Sequence, residues 1–148
     1  MRLVLLICAT LALATIAGCA QTVNQKRFAS VYHAAREIQS SVSVGLSYID
    51  YRALLQKYAT EVNIAQDAPQ NDVEKAMVTY YARALKGYES AGELWATAVK
   101  TGGIDKELTG PLMQSRWHSA DACVTLANSM YLGHSPGKND RSKPTCTD

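Results

Sequence analysis

Neither sign of charge dominates this 148-residue sequence, which has 15 lysines and arginines against 13 aspartates and glutamates. The formal net charge of +2 is too small for a protein dedicated to nucleic acid, and no cluster of basic residues is present. A hydrophobic content of 47% excludes disorder throughout the chain, and the length suits one domain. We therefore expect a small globular protein with no nucleic-acid partner.

Motifs that carry catalysis or hold a cofactor are also missing. The sequence has no Gly-rich phosphate loop, no His-Glu-x-x-His metal motif and no Gly-x-Ser-x-Gly nucleophile elbow. His118 and Asp121 could interact on one helix, but an acid–base dyad needs a third group and a pocket. Glu89 and Glu93 have i,i+4 spacing, for which a solvated helix face is the better interpretation. We predict that the protein is not an enzyme and needs neither a metal nor another cofactor.

Proline and β-branched alternation are both scarce, and this favours helices over strands. Between Cys19 and Cys123 the only prolines are Pro69 and Pro111, and apolar residues recur at intervals of three and four. The pattern predicts an all-α fold, an antiparallel bundle of about four helices with short connections. The predicted bundle domain covers residues 28–132.

Capping residues and helix breakers give the predicted limits of the first two helices. The first helix covers residues 22–41, after which a glycine and poor helix formers interrupt the pattern. Ser47 begins the second helix because Asp50 follows it at capping-box spacing. The turn at residues 67–70 ends this helix, since the residue before a proline is disfavoured in helical geometry.

The third helix is predicted to be the longest, at about 30 residues. Asn71 is a good N-cap, and the glycines after Thr101 supply the stop. Gly87 and Gly92 lie inside this helix, where they either permit a bend or let a neighbouring helix approach closely.

The fourth helix is predicted to start at a cap formed by residue 109 or 110, with Pro111 in its first turn. Residues 104–110 then form a connector. The polar, Pro- and Gly-containing residues 133–148 are predicted to form an irregular C-terminal tail.

The chain starts with its one long apolar run. Met1 and Arg2 give a single positive charge, and residues 3–20 contain no charge. A short basic start, an apolar core and small residues at the end are typical of a secretory signal peptide. The alternative is a transmembrane helix, but this run is at the lower limit of spanning length and no basic stop-transfer cluster follows it directly.

Residues Ile16-Ala17-Gly18-Cys19 close this segment and resemble the lipobox of bacterial lipoproteins. In that family the cysteine receives a diacylglyceryl group and a peptidase cuts just before it. The resemblance implies that residues 1–18 are a cleaved lipoprotein signal peptide and that Cys19 is the lipidated first residue. Two or three acyl chains give stable membrane anchoring. Ala20 stands where an aspartate favours inner-membrane retention, so the resemblance implies the outer membrane, on its periplasmic face.

A short tether is predicted to join the anchor to the helical domain. It covers residues 19–27, and a flexible segment of this length spans roughly 15–18 Å on average. We therefore expect the domain to lie close to the membrane.

Two cysteines remain after the signal peptide and the lipidation site are set aside. An even number of cysteines in an oxidising compartment predicts one disulfide, between Cys123 and Cys146. It closes a loop of about 23 residues and contributes roughly 3 kcal/mol by the chain-entropy estimate. The alternative is a buried free Cys123 and a mobile Cys146. A zinc site is disfavoured, because the cysteines and histidines lack compact ligand spacing.

Tyrosine is unusually frequent, with eight tyrosines against one phenylalanine. Tyrosine is enriched at interface hot spots, so Tyr48 and Tyr81 are candidates for an exposed partner surface. The alternative is that the rings pack inward at the rim of the bundle while their hydroxyls reach water.

The combined features predict a non-enzymatic envelope protein that binds another protein or has a structural role. Secretion pilotins have a similar broad architecture. Residues 35–39 (AREIQ) and 43–48 (SVGLSY) also make the mature part similar to small, uncharacterised helical lipoproteins of proteobacteria. Two alternatives stay open, a periplasmic immunity or inhibitor protein and a carrier of a small apolar ligand.

Overall fold

Four α-helices make up the fold. The computed structural model describes residues 22–102, 106–134 and 146, and these residues contain no β-strand. The elements are α1 (Gln25–Val44), α2 (Tyr48–Gln66), α3 (Asp72–Lys100) and α4 (Lys106–Tyr131). The predicted all-α bundle of four helices is confirmed. The predicted signal peptide, Cys19 and most of the C-terminal tail lie outside the described residues.

Polar side chains cap the starts of the first three helices. The Asn24 side chain accepts a hydrogen bond from the backbone N–H of Arg27, and Asn71 does the same for Glu74. Ser47 accepts from the backbone N–H of Asp50, as the capping-box spacing predicted. Each cap satisfies an N–H group that has no partner within its helix, so the predicted starts of α2 and α3 are confirmed.

The limits of α1 differ from the predicted range of residues 22–41. The helix begins at Gln25 because Asn24 is its N-cap, and it continues to Val44. It ends there because Gly45 has a φ of 88°, in a region that residues with side chains rarely adopt. The poor helix formers before Gly45 did not stop the helix.

The prediction for the start of α4 was wrong. The helix begins at Lys106, and Pro111 lies inside it instead of in its first turn. A proline lacks the N–H of an intrahelical hydrogen bond. Pro111 is the sixth residue of α4, two positions beyond the first four N–H groups, which have no intrahelical partner, so it forfeits one intrahelical hydrogen bond.

The helices run alternately up and down and close into a ring of neighbours. α1 packs on α2, α2 on α3, and α4 on both α3 and α1. The α3–α4 interface is the most extensive, and the α1–α4 interface is the smallest of the four. Apolar side chains from all four helices fill the centre, among them Phe28, Val31, Ile38, Tyr51, Tyr58, Val62, Met77, Tyr88, Trp117 and Val124.

Four buried tyrosines give this core its polar framework. Each ring is fully buried, and each hydroxyl donates a hydrogen bond: Tyr51 to the carbonyl of Tyr88, Tyr58 to the carbonyl of Tyr81, Tyr81 to Asn128 and Tyr88 to Asp121. Burial raises the pKa of all four well above the usual value, so the hydroxyls stay protonated as donors.

Tyr81 is therefore not part of an exposed surface, contrary to the prediction from sequence. Its ring has no solvent exposure, and its hydroxyl lies 2.9 Å from Oδ1 of Asn128 on α4. The physical reason is position on the helix. Tyr81 lies four residues after Met77 and seven before Tyr88, and this stripe faces the core.

The predicted disulfide is present between Cys123 and Cys146. The two Cα atoms are 4.8 Å apart, within the range that disulfides require. Cys123 is buried on α4, and Cys146 packs against the core. The end of the chain is therefore held against the middle of the bundle.

Candidate functional site

The two hairpins of the bundle differ in length, and this creates a step at one end. α3 has 29 residues, while α1 and α2 have 20 and 19. We call the end with the starts of α1 and α3 the proximal end and the opposite end the distal end. α3 continues five residues beyond Trp95, roughly 8 Å, past the level where α2 begins.

Exposed apolar side chains gather at this step. Val44 ends α1 and is 84% exposed, and Ile49 in the first turn of α2 is 79% exposed. Val99 in the last turn of α3 is 57% exposed. We name Val44, Tyr48, Ile49, Trp95 and Val99 the distal shoulder. Exposed apolar side chains from three helices at the same end of a bundle make that end a candidate binding surface.

A column of aromatic rings supports the distal shoulder from inside the bundle. The ring centroids of Tyr48 and Trp95, both half-buried, lie 5.5 Å apart. Trp95 contacts two inner rings, Tyr51 at 5.4 Å and Trp117 at 5.6 Å. Tilted and edge-to-face arrangements at these distances are favourable. The outer pair is therefore held in place by the inner pair.

Hydrogen bonds fix the inner rings of this column. Nε1 of Trp117 donates to the Tyr51 hydroxyl at 3.2 Å, and that hydroxyl donates to the carbonyl of Tyr88. Ring position thus depends on α2, α3 and α4 together. A partner that contacts Tyr48 and Trp95 meets side chains that have already lost most of their conformational freedom, which lowers the entropic cost of binding.

A groove extends from the distal shoulder along α2. Its volume is about 650 Å³, and its lining combines Tyr48 and Ile49 with the charged side chains Arg52 and Glu89. The remaining lining residues are Ala53, Leu55, Gln56 and Ala59. An apolar centre with a few charged groups at its edge is the usual composition of a protein interface.

A second groove of about 710 Å³ lies between α1 and α4 and is polar. Its lining includes His33, Arg36, Glu37 and Asp121. Burial raises the pKa of the Asp121 carboxyl, while the hydrogen bond from Tyr88 and the charge of His118 oppose this.

The structure separates the residues that the sequence singled out. Tyr48 lies in the distal shoulder, Tyr81 in the core, and the Cys123–Cys146 disulfide on α4. Cys19 lies outside the described residues. Sequence reasoning missed Ile49, although it is an apolar residue two positions from Tyr51 and hence off the buried face of α2. An apolar residue off the buried face of a helix is the sequence signal that could have identified Ile49 as part of a surface.

The described residues 22–102, 106–134 and 146 contain no group of three or more histidine, cysteine, aspartate or glutamate side chains arranged to hold a metal ion. Within the same described part of the chain, no helix has both the length and the hydropathy to cross a bilayer.

Comparison with known protein families, with curated proteins and with solved structures gives no match for this chain.

Proposed function

We propose that this chain is a lipid-anchored helical protein of the bacterial envelope that binds another protein through its distal shoulder. Cys19 carries the acyl chains, and the bundle faces the periplasm from the outer membrane. The protein acts as an adaptor and performs no catalysis. The lipobox resemblance of residues 16–19 supports the anchor.

The Cys123–Cys146 disulfide supports an exported location. Disulfides persist in oxidising compartments such as the periplasm and are rare where thiols are kept reduced. Cys123 lies in the core and Cys146 packs against it, so the pairing is integrated into the fold. An exported, tethered protein is the setting in which such a bond is useful.

The ordered aromatic pair Tyr48–Trp95 is the observation that carries the binding role. Aromatic side chains in well-packed positions dominate the binding energy of many interfaces. Here the pair is half-buried, is supported by Tyr51 and Trp117, and adjoins the exposed Ile49. Rigid aromatic anchors next to exposed aliphatic groups favour a protein partner.

A site-specific crosslinking experiment tests this role. A photoreactive phenylalanine derivative replaces Ile49 at the distal shoulder or, as the matched control, Ile64 near the other end of the same helix. Both side chains are largely exposed, at 79% and 63%, and mild detergent added before crosslinking keeps lipid from shielding either position, so a non-specific encounter would label the two positions alike. We expect one discrete adduct from position 49 and none from position 64.

A second variant connects the adduct to the aromatic pair. Replacing Trp95 by alanine in the position-49 protein removes the anchor, and we expect the adduct to fall at least about tenfold, the effect of a hot-spot truncation. Equal adducts from positions 49 and 64, or no adduct from position 49, would contradict the proposed role.

A further inference from the structure

The chain that enters α1 is held against the turn between α2 and α3. The backbone N–H of Asn24 donates to Oε1 of Glu74 at 2.9 Å. The side-chain amide of Asn71 donates to the carbonyl of Thr22 at 3.2 Å. Residues 22–24 are therefore bound to the bundle before the first helix starts.

Glu74 is the centre of this attachment. Its side chain is 2% exposed, and its second carboxylate oxygen accepts from the backbone N–H of Gln70 and from the Arg27 guanidinium at 3.0 Å. Arg27 also donates to the carbonyl of Ala68. Burial alone would raise the pKa of Glu74, but the hydrogen bonds and the charge of Arg27 together lower it. The buried carboxylate is thus ionised and fully paired.

The start of α1 is also tied to the end of α4. The Gln25 side chain donates to the carbonyl of Tyr131, and the Tyr131 hydroxyl donates to the carbonyl of Gln25. These reciprocal bonds, with those around Glu74, attach residues 22–25 to two other parts of the proximal end.

This attachment shortens the distance available between the lipidated residue and the domain. The tether predicted from sequence covered residues 19–27, but the structure holds the chain from Thr22 onward. Three Cα–Cα steps separate Cys19 from Thr22, and they span at most about 11 Å. Covalent geometry therefore sets this limit whatever path the chain follows.

We infer that the proximal end of the bundle faces the bilayer and contacts its headgroups, with the distal shoulder directed into the periplasm. The inference rests on the proposed lipidation of Cys19. Thr22, the turn at residues 67–71 and the end of α4 form the membrane-facing surface. Ile64 and Leu132, which are 63% and 50% exposed, lie towards this end and are suited to the apolar side of a headgroup layer.

Charge does not set this orientation. The exposed groups near the proximal end include Lys26 and Lys75 but also Asp67 and Asp72. Lys75 and Asp72 form an ion pair at 3.5 Å. With both signs present, attraction to anionic lipids is weak, so we expect the orientation to be insensitive to salt.

Quenching by spin-labelled lipids measures the orientation. The lipidated full chain, produced with its own signal sequence, is inserted in vesicles of phosphatidylcholine that contain headgroup-nitroxide lipid. A fluorophore is attached to Ile64→Cys at the proximal end or to Val99→Cys at the distal end, with the Cys123–Cys146 disulfide kept oxidised. Tyr48 contacts Trp95, so Ile64 lies about 24 Å to the proximal side of this level and Val99 about 6 Å to its distal side. The two labels are therefore about 30 Å apart along the bundle axis, and we expect at least about threefold stronger quenching at position 64.

The outcomes separate the orientation from the anchor. An acylated protein quenched equally at both positions, or more strongly at position 99, would overturn the orientation and leave the anchor intact. A protein without acyl mass that does not float with vesicles would overturn both. The Cys19→Ser variant gives the unquenched baseline. A quenching ratio that collapses in high salt would show that charge, and not the short tether, directs the bundle.

Discussion

At the scale of single residues, Glu74 is the charged side chain that the described part of the bundle buries. It is buried beside Arg27 and accepts hydrogen bonds from the backbone N–H groups of Asn24 and Gln70. A buried carboxylate is costly unless every such partner is present. Its complete pairing explains how one charge stabilises the junction of α1 with the α2–α3 turn.

Replacing Glu74 by glutamine tests this role through its dependence on pH. The pKa of Glu74 is lowered in the folded state, so its contribution is complete above the ordinary value of 4.5 and is lost as the pH falls through the folded-state pKa. We expect Glu74→Gln to lower the free energy of unfolding by about 2 kcal/mol at neutral pH, because Arg27 loses its buried partner. Urea denaturation at about pH 7 and about pH 3 measures the difference, which should shrink in acid.

Two points allow the pH dependence of the Glu74→Gln effect to be assigned to Glu74. Burial raises the pKa of Asp121, which contributes with the opposite sign, but this term is common to both proteins and cancels. Asp72→Asn is the control, since its ion pair with Lys75 is exposed and should be worth less than about 1 kcal/mol. A Glu74→Gln effect equal at both pH values would show that shape, not charge, matters at this position.

At the scale of elements, the helix ends show how far local sequence determines structure. Ser47 and Asn71 are caps whose hydrogen bonds join residues three apart, so the starts of α2 and α3 could be predicted. The start of α4 could not, because Pro111 is compatible both with a first turn and with a position further along the helix. The extensive interface of α4 with α3 joins parts of the chain that are distant in sequence, and a local pattern does not contain such contacts.

Gly87 illustrates such a contact and provides a second prediction. A Cβ atom at this position would lie 3.0 Å from Cβ and 3.4 Å from Cα of Ala120 on α4. These atoms belong to the helix backbone and its first side-chain atom, so they cannot rotate away. The prediction that Gly87 lets a neighbouring helix approach closely is therefore confirmed. We expect Gly87→Ala to destabilise the bundle by about 1 kcal/mol or more, despite the better helix propensity of alanine.

Ala120→Gly supplies the matched control, because it removes the Cβ atom that lies 3.0 Å from the position of the added Cβ. We expect Gly87→Ala to be less destabilising, by at least about 0.5 kcal/mol, in the Ala120→Gly background than in the natural protein. Thermal unfolding of the natural protein, both single variants and the double variant measures this coupling. Additive effects would mean that α3 and α4 can separate at Gly87 without cost.

At the scale of the whole molecule, the sequence predicted the candidate site only in part. Tyr48 could be proposed because tyrosine favours interfaces, but the same argument applied to Tyr81, and only the rotational position of each helix separates the two. The distal shoulder exists because the two hairpins differ in length. The predicted length of α3 already indicated this difference. The length of the tether could not be predicted, because Asn24 and Glu74 are far apart in sequence.

At the same scale, the proposed anchor and the proposed binding surface belong to opposite ends of the bundle. The bonds around Glu74 hold the chain entry at the proximal end, and the aromatic column of Tyr48, Tyr51, Trp95 and Trp117 ends at the distal shoulder. A protein anchored at one end keeps the other free for a partner. The proposed adaptor role depends on this separation.

The intact mass of the native protein, taken from fractionated membranes, shows whether Cys19 is the lipid anchor. We expect a chain that starts at Cys19, is heavier than its sequence by two or three acyl chains, and is found in the outer-membrane fraction. The Cys19→Ser variant should lack this mass and leave that fraction. An unmodified Cys19, or a native chain that retains residues 1–18, would rule out the proposed lipid anchor.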